Sequence, residues 1–206
     1  TGDLSKAQCP AKLVDDALKA FGGLDAVVSN AGITSPAPLI DLPVSKWDKL
    51  LNVNARATLL LAQAAYPALK ESKGALVAVA SMSGMGAHPG MGAYSPSKAA
   101  LISLCQVLAQ EWACDGINVN TVSPGMIRTP LTQKVYENNQ IAKERAALVP
   151  WGRVGNPEDI SNVISFLLSP EANYITGQNI LVDGGFVDSL YRHIPGLPDS
   201  SEIDKT

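Results

Sequence analysis

Charge, cysteine and histidine are all scarce in this 206-residue chain, and each scarcity removes a class of function. Asp, Glu, Lys and Arg make up only 17% of the residues, lie scattered rather than in blocks, and leave a net charge of -3. No basic cluster offers an electrostatic footprint for nucleic acid or an anionic membrane surface, so neither is expected as a partner. The three cysteines, Cys9, Cys105 and Cys114, are odd in number and form no C-x-x-C pair. They read as free thiols in a reducing compartment, here the cytoplasm. His88 and His193 are the only histidines, and neither has a neighbour at ligand spacing, so no metal site is expected. No uninterrupted apolar run reaches the length of a bilayer span.

What is present is apolar and alternating. At 46% hydrophobic, the chain can bury the core of one ordinary domain. Leu13 to Phe21 is amphipathic, with Leu13, Ala17, Leu18 and Phe21 on one face, and Gly22-Gly23 stops it. Leu24 to Ser29 reads as a short buried strand. Ser45 has the chemistry of an N-cap for one long helix to about Leu69. Ala75 to Ala80 is a continuous apolar run, the signature of a strand covered on both faces. Further helices are predicted over Tyr94 to Ala113 and Pro157 to Leu168, and strands over Ile117 to Val122 and Asn179 to Val182. The segment from Thr129 to Leu148 is polar and reads as loose and mobile. Strands and helices alternating over such connections imply right-handed crossovers and a parallel α/β sheet. No repeat or interdomain linker interrupts residues 1–187. Residues 188–206, with Pro195, Gly196, Pro198 and a charged end, read as a C-terminal extension.

The chemistry concentrates in Gly92-Ala93-Tyr94-Ser95-Pro96-Ser97-Lys98, which follows Ser81 by a short loop. A Tyr and a Lys one helical turn apart point the same way, so the ammonium can lie beside the phenol. At about 4 Å and an effective dielectric near 20, such a charge favours phenolate by roughly 4 kcal/mol. At about 1.36 kcal/mol per pKa unit, that would bring a tyrosine from about 10 to near 7. A phenol so tuned is a general acid/base at working pH, and a hydroxyl from Ser81 could hold a carbonyl oxygen beside it. Tyr-x-x-x-Lys alone is a weak pattern. The chain holds a second copy at Tyr66 and Lys70, where Pro67 and the absence of an upstream hydroxyl favour ordinary helix surface.

Taken in order, Asp3-Leu4, Asn30-Ala31-Gly32, Asn54, Ser81, Tyr94 with Lys98, Ser123-Pro124-Gly125 with Thr129, and Asp183-Gly184-Gly185 resemble the classical short-chain dehydrogenase/reductase family over residues 1–187. The resemblance implies a Rossmann-type doubly wound parallel sheet and hydride exchange with NAD or NADP. Tyr94 would be the acid/base and Ser81 the carbonyl-orienting hydroxyl. Lys98 would lower the phenol's pKa and hold the nicotinamide ribose. Asn54 would position a water for a proton relay through Lys98. Asp3, Leu4, Asn30, Ala31 and Gly32 would lie along the adenosine half of the cofactor. Pro124, Gly125, Ile127 and Thr129 would meet the nicotinamide carboxamide. The substrate would be a small secondary alcohol or ketone, and the assembly a homodimer or homotetramer. Met82, Met85 and Met91, with the Thr129–Trp151 segment, would line its pocket.

One part of the family pattern is missing. A Rossmann unit opens with a strand, a Gly-rich turn and a helix that meets the pyrophosphate. Gly84-Met85-Gly86 and Gly90-Met91-Gly92 lie in the wrong loop for that motif. By resemblance, the chain starts at the end of the family's third strand, lacks the first three strands, and is expected to be a fragment. The residue that separates NAD from NADP falls in that missing part. The rival reading is a truncated, non-catalytic paralogue acting as an oligomerisation or interaction protein. A serine hydrolase built on Ser81 is a poor fit, because Ala80-Ser81-Met82-Ser83-Gly84 is not a nucleophile elbow.

Overall fold

The computed structural model describes residues 2–196. Its centre is a parallel sheet of four strands in the order β1 (Ala26–Ser29), β2 (Ala75–Val79), β3 (Asn118–Pro124) and β4 (Asn179–Val182). Val77 pairs with Val28 on one side and Asn120 on the other, and Val122 pairs with Ile180. Every connection crosses over through helix, as the alternating pattern requires.

The continuous apolar run of β2 is explained by burial on both faces. Leu76 and Ala78 pack on one side against α1 (Gln8–Phe21), α3 (Ala57–Ser72) and α4 (Tyr94–Trp112). Val77 points the other way, into a second cluster with Val122, Ile127 and Ile160 and Leu167 of α7 (Pro157–Leu167). Leu76, Val77 and Ala78 are all fully buried. Alternate residues of one strand thus feed two half-cores.

Several local expectations change. Helix α1 begins at Gln8 rather than Leu13 and buries Pro10 and Val14, while Phe21 is 82% exposed. Its end is as predicted, since Gly22 takes φ 80° and its N–H donates to the Leu18 carbonyl at 2.8 Å. The expected single helix from Ser45 is capped instead by Pro43 and divides into α2 (Val44–Leu51), a π-helical turn at Asn52–Arg56, and α3. Pro67 sits inside α3 rather than at its end. The strand expected at Ile117 to Val122 runs on to Pro124. The segment read as loose holds α5 (Gln133–Tyr136) and α6 (Asn139–Leu148). Asn138 caps α6, its Oδ1 accepting from the N–H groups of Gln140 and Ile141 at 3.0 and 3.2 Å. Tyr136 anchors the segment at 5% exposure. A polar composition hid both devices. Pro198 and the charged end of the extension lie outside the described residues.

Candidate active site

All four strands point their carboxyl ends to one edge, and the sequence-predicted residues gather there: Asn30 to Gly32 after β1, Ser81 after β2, Gly125 after β3 and Asp183 after β4. Open α/β sheets bind ligands at this edge. Ser81 leaves β2 in extended conformation, 9% exposed, and its Oγ accepts the Ser83 N–H at 3.1 Å. Tyr94 opens α4, and Lys98 follows one turn later at 3% exposure. The Lys98 ammonium donates to the Val79 carbonyl at 2.8 Å and lies 5.9 Å from the centre of the Tyr94 ring.

The electrostatics correct the expected tuning of the phenol. Burial raises the pKa of Tyr94, and the Ser81 hydroxyl pulls back only part of that rise. Lys98 does not offset it, because its ammonium is turned onto Val79. Burial also depresses Lys98 itself, to about 8. The free protein therefore holds a protonated phenol, the form that can donate a proton.

Asn54 sits in the π-helical turn at 1% exposure. The extra residue of that turn rotates the side chain out of helical register. Its Oδ1 accepts the Ile33 N–H at 2.8 Å, and its Nδ2 donates to the Ile33 carbonyl at 3.0 Å and to Ser97 Oγ at 2.9 Å. Ser97 Oγ in turn donates to the Tyr94 carbonyl at 2.7 Å. Both amide hydrogens are thus spent on protein, and what the geometry gives Asn54 is a latch between the loop after β1 and the first turn of α4. A Cβ built on Gly32 would lie 3.2 Å from Lys98 Nζ and 3.6 Å from Asn54 Oδ1. The missing side chain therefore leaves an open cradle over the ammonium.

The remaining candidates divide. Asp3 is exposed, its carboxylate accepts the Ser5 N–H at 2.9 Å, and hydrogen bonding to Ser5 holds its pKa down. Leu4 is half-buried beside it, and Arg56 Nη2 ties the segment to the π-helical turn by donating to the Ser5 carbonyl at 2.8 Å. Asn30, Ala31 and Gly32 are exposed, whereas Pro124 and Gly125 are half-buried. A Cβ on Gly125 would come 2.4 Å from that of Asp183, so only glycine lets the loops after β3 and β4 touch. Ile127 is core, and its carbonyl accepts Thr132 Oγ1 at 2.7 Å. The Thr129 hydroxyl and N–H both engage the Thr132 hydroxyl, at 3.2 and 2.9 Å.

Sequence reasoning misses Ser97, Thr132 and Arg56. Ser97 had a signal in its place between Tyr94 and Lys98; the others are partners that no motif marks. Of Met82, Met85 and Met91, it is Met85, 53% exposed, that lines an open cavity of about 420 Å³ with Leu39, His88 and Ser95. Trp151 lines another, of about 210 Å³, with Met126, Asp183 and Gly184. The second Tyr-x-x-x-Lys copy has a structural job at the far end of the helices. Tyr66 Oη and Lys70 Nζ both bind the Asp115 carboxylate, at 2.5 and 2.7 Å, and the Tyr66 ring packs 4.9 Å from Trp112.

The family described as enoyl-(acyl carrier protein) reductase matches residues 1–187. A 3-oxoacyl-[acyl-carrier-protein] reductase FabG of Thermotoga maritima is 39% identical over 178 residues, spanning 85% of this chain and 71% of the relative. Dehydrogenase/reductase SDR family member 4 of Bos taurus is 38% identical over 190 residues, spanning 91% of this chain and 68% of the relative. Among solved structures, the active-site complex of Pseudomonas aeruginosa RhlG with NADP superposes with a TM-score of 0.84 at 32% identity, covering 89% of this chain and 74% of that one.

Proposed function

The chain belongs to the short-chain dehydrogenase/reductase family of Rossmann-type oxidoreductases, and from that premise we propose that it interconverts a secondary alcohol and a ketone. One observation carries the reading: a serine hydroxyl, a phenol and a buried lysine converge where β2 meets α4. NAD or NADP, when bound, supplies or accepts the hydride. The cradle over Gly32 fits such a group, since it opens onto Lys98 Nζ with no Cβ to fill it. Lys98 and the loops at Asn30–Gly32 and Pro124–Gly125 would hold it, with Asp3 and Leu4 beyond.

In the reductive direction, Ser81 donates a hydrogen bond to the substrate carbonyl oxygen, a contact that strengthens as negative charge develops there. Its Oγ already accepts the Ser83 N–H, so its single hydrogen, which faces the Tyr94 phenol in the free protein, is the one that turns to substrate. Tyr94 then gives its proton to that oxygen. The phenolate left behind is stabilised by Lys98, whose ammonium must exchange the Val79 carbonyl for the new charge. In oxidation the same groups run in reverse.

The name of the Thermotoga relative makes a 3-oxoacyl thioester the first substrate to test, with simple ketones and sugars beside it. Consumption of NADPH and of NADH is followed by absorbance with each substrate, and the faster cofactor decides the preference. Replacing Tyr94 by Phe should abolish turnover while leaving thermal unfolding unchanged; near-normal turnover in that variant refutes the mechanism. The homo-oligomer implied by resemblance is proposed on the same footing, and light scattering distinguishes dimer from tetramer.

A further inference from the structure

Ser81 and Tyr94 must keep a fixed separation to act on one oxygen, yet they stand on different elements joined by an exposed, glycine-rich loop. Met85 to Gly90 are all exposed, and Gly90 and Gly92 adopt left-handed φ values of 77° and 56°. Such a loop has little intrinsic stiffness. A chain of polar contacts crosses it. Ser83 is 6% exposed and donates its backbone N–H to Ser81 Oγ at 3.1 Å. The Ser83 hydroxyl has one side-chain partner among the described residues, His88 Nδ1 at 3.0 Å. The His88 backbone N–H donates to Ser95 Oγ at 3.2 Å, and Ser95 is the residue after Tyr94. Beneath this bridge, Gly84 lies flat on α4, where an added Cβ would stand 2.9 Å from the Lys98 carbonyl carbon and from Ile102 Cδ1.

We propose that His88 is a positioning residue, which acts through Ser83 to hold the Ser81 hydroxyl in register with Tyr94. The inference rests on the oxidoreductase reading of the site. The contacts are those of a positioning group: Nδ1 of the imidazole meets Ser83, and the backbone N–H meets Ser95. The contact survives either proton arrangement, because a serine hydroxyl both donates and accepts. Losing it would untether the Ser83 side chain from the loop, and the short helical turn at Met82–Gly84, which carries the N–H that orients Ser81, would be held less firmly. A small displacement of a reacting group costs turnover far more than it costs affinity for a cofactor held elsewhere.

The test is a double-mutant cycle on the full chain, with kcat and the KM for reduced cofactor measured for each variant. His88→Leu removes the imidazole nitrogens; His88 is exposed, so the fold should persist, and a thermal melt checks it. His88→Asn places an amide group near the position of Nδ1. Ser83→Ala removes the other end. The expected result is a roughly tenfold to hundredfold fall in kcat for His88→Leu, with the cofactor KM within about twofold and most of the turnover restored in His88→Asn. Ser83→Ala should match His88→Leu, and the double variant should be no worse than either. Wild-type kcat in His88→Leu overturns the inference, as do losses that multiply in the double variant or an Asn variant no better than Leu. An inactive wild-type protein would instead overturn the reading of the site, and this inference with it.

Discussion

Lys98→Met should separate what the buried lysine costs the fold from what it gives the site. Lys98 is 3% exposed, and burial moves its pKa from the ordinary 10.5 to about 8. At about 1.36 kcal/mol per pKa unit, holding the ammonium in the folded state at neutral pH costs roughly 3 kcal/mol. Methionine has similar length and no charge, but it leaves the Val79 carbonyl without its 2.8 Å donor, a loss of about 1–3 kcal/mol. The net change at neutral pH is therefore small, and its pH dependence is the cleaner signal. Below about 8, lysine is charged in both folded and unfolded chains, and the full cost is present. Between about 8 and 10.5 the folded protein sheds the proton first, so the unfolded chain binds more protons and wild-type stability rises relative to the variant. Urea unfolding of both proteins at about pH 7 and about pH 10 should show the difference in their unfolding free energies shifting by about 2–3 kcal/mol toward wild type. Turnover should be lost in the variant at either pH. A stability difference independent of pH, or one shifting toward the variant, would show that burial does not hold the ammonium at a cost.

Asn54→Ala strands the Ile33 N–H and carbonyl and takes from the Ser97 hydroxyl the donor it accepts, though its bond to the Tyr94 carbonyl remains, so urea unfolding should report a loss of about 2–4 kcal/mol; a loss below about 1 kcal/mol would mean the latch is dispensable. Gly125→Ala forces a Cβ to 2.4 Å from the Asp183 Cβ and 2.7 Å from its Cα. Because the second contact is backbone, relief requires parting the loops after β3 and β4. We expect a loss of about 1–3 kcal/mol in unfolding free energy; unchanged stability would show that the loops part freely and that their close approach constrains nothing.

The legible part of the fold is the part written in periodicity. The apolar run at Ala75 to Ala80 fits a strand covered on both faces, and the structure buries it so. Gly22 announces the end of α1 because glycine takes its left-handed turn without steric cost. The pairing of Tyr94 with Lys98 is legible because one helical turn separates them. What escapes depends on contacts between distant segments. Nothing in Leu51-Asn52-Val53-Asn54 signals a π-helical turn, since the turn is held by bonds from Asn54 to Ile33 and Ser97, which lie far away in sequence. The pKa of Tyr94 escapes for the same reason. Spacing brings an ammonium near the phenol, but only the Val79 carbonyl decides where the ammonium points.

That competition for Lys98 bears on how the site can work. A lysine locked onto a phenolate would leave Tyr94 ionised in the free protein and unable to donate. A lysine held by a neutral carbonyl leaves the phenol protonated, as burial demands, and keeps the ammonium in reserve. In the proposed reaction, once the proton passes to substrate the phenolate becomes the stronger acceptor, because a hydrogen bond to a charged group exceeds one to a neutral carbonyl. The reward for turning Lys98 therefore arises only after, or during, proton transfer. Stabilisation of that kind is selective for the transition state and lowers the barrier rather than merely tightening binding. The same logic explains why Asn54 and Ser97 spend their polar groups on one another and on backbone. They fix the turn from which Tyr94 and Lys98 project, and the polar group in that network with a partner to exchange is the ammonium itself.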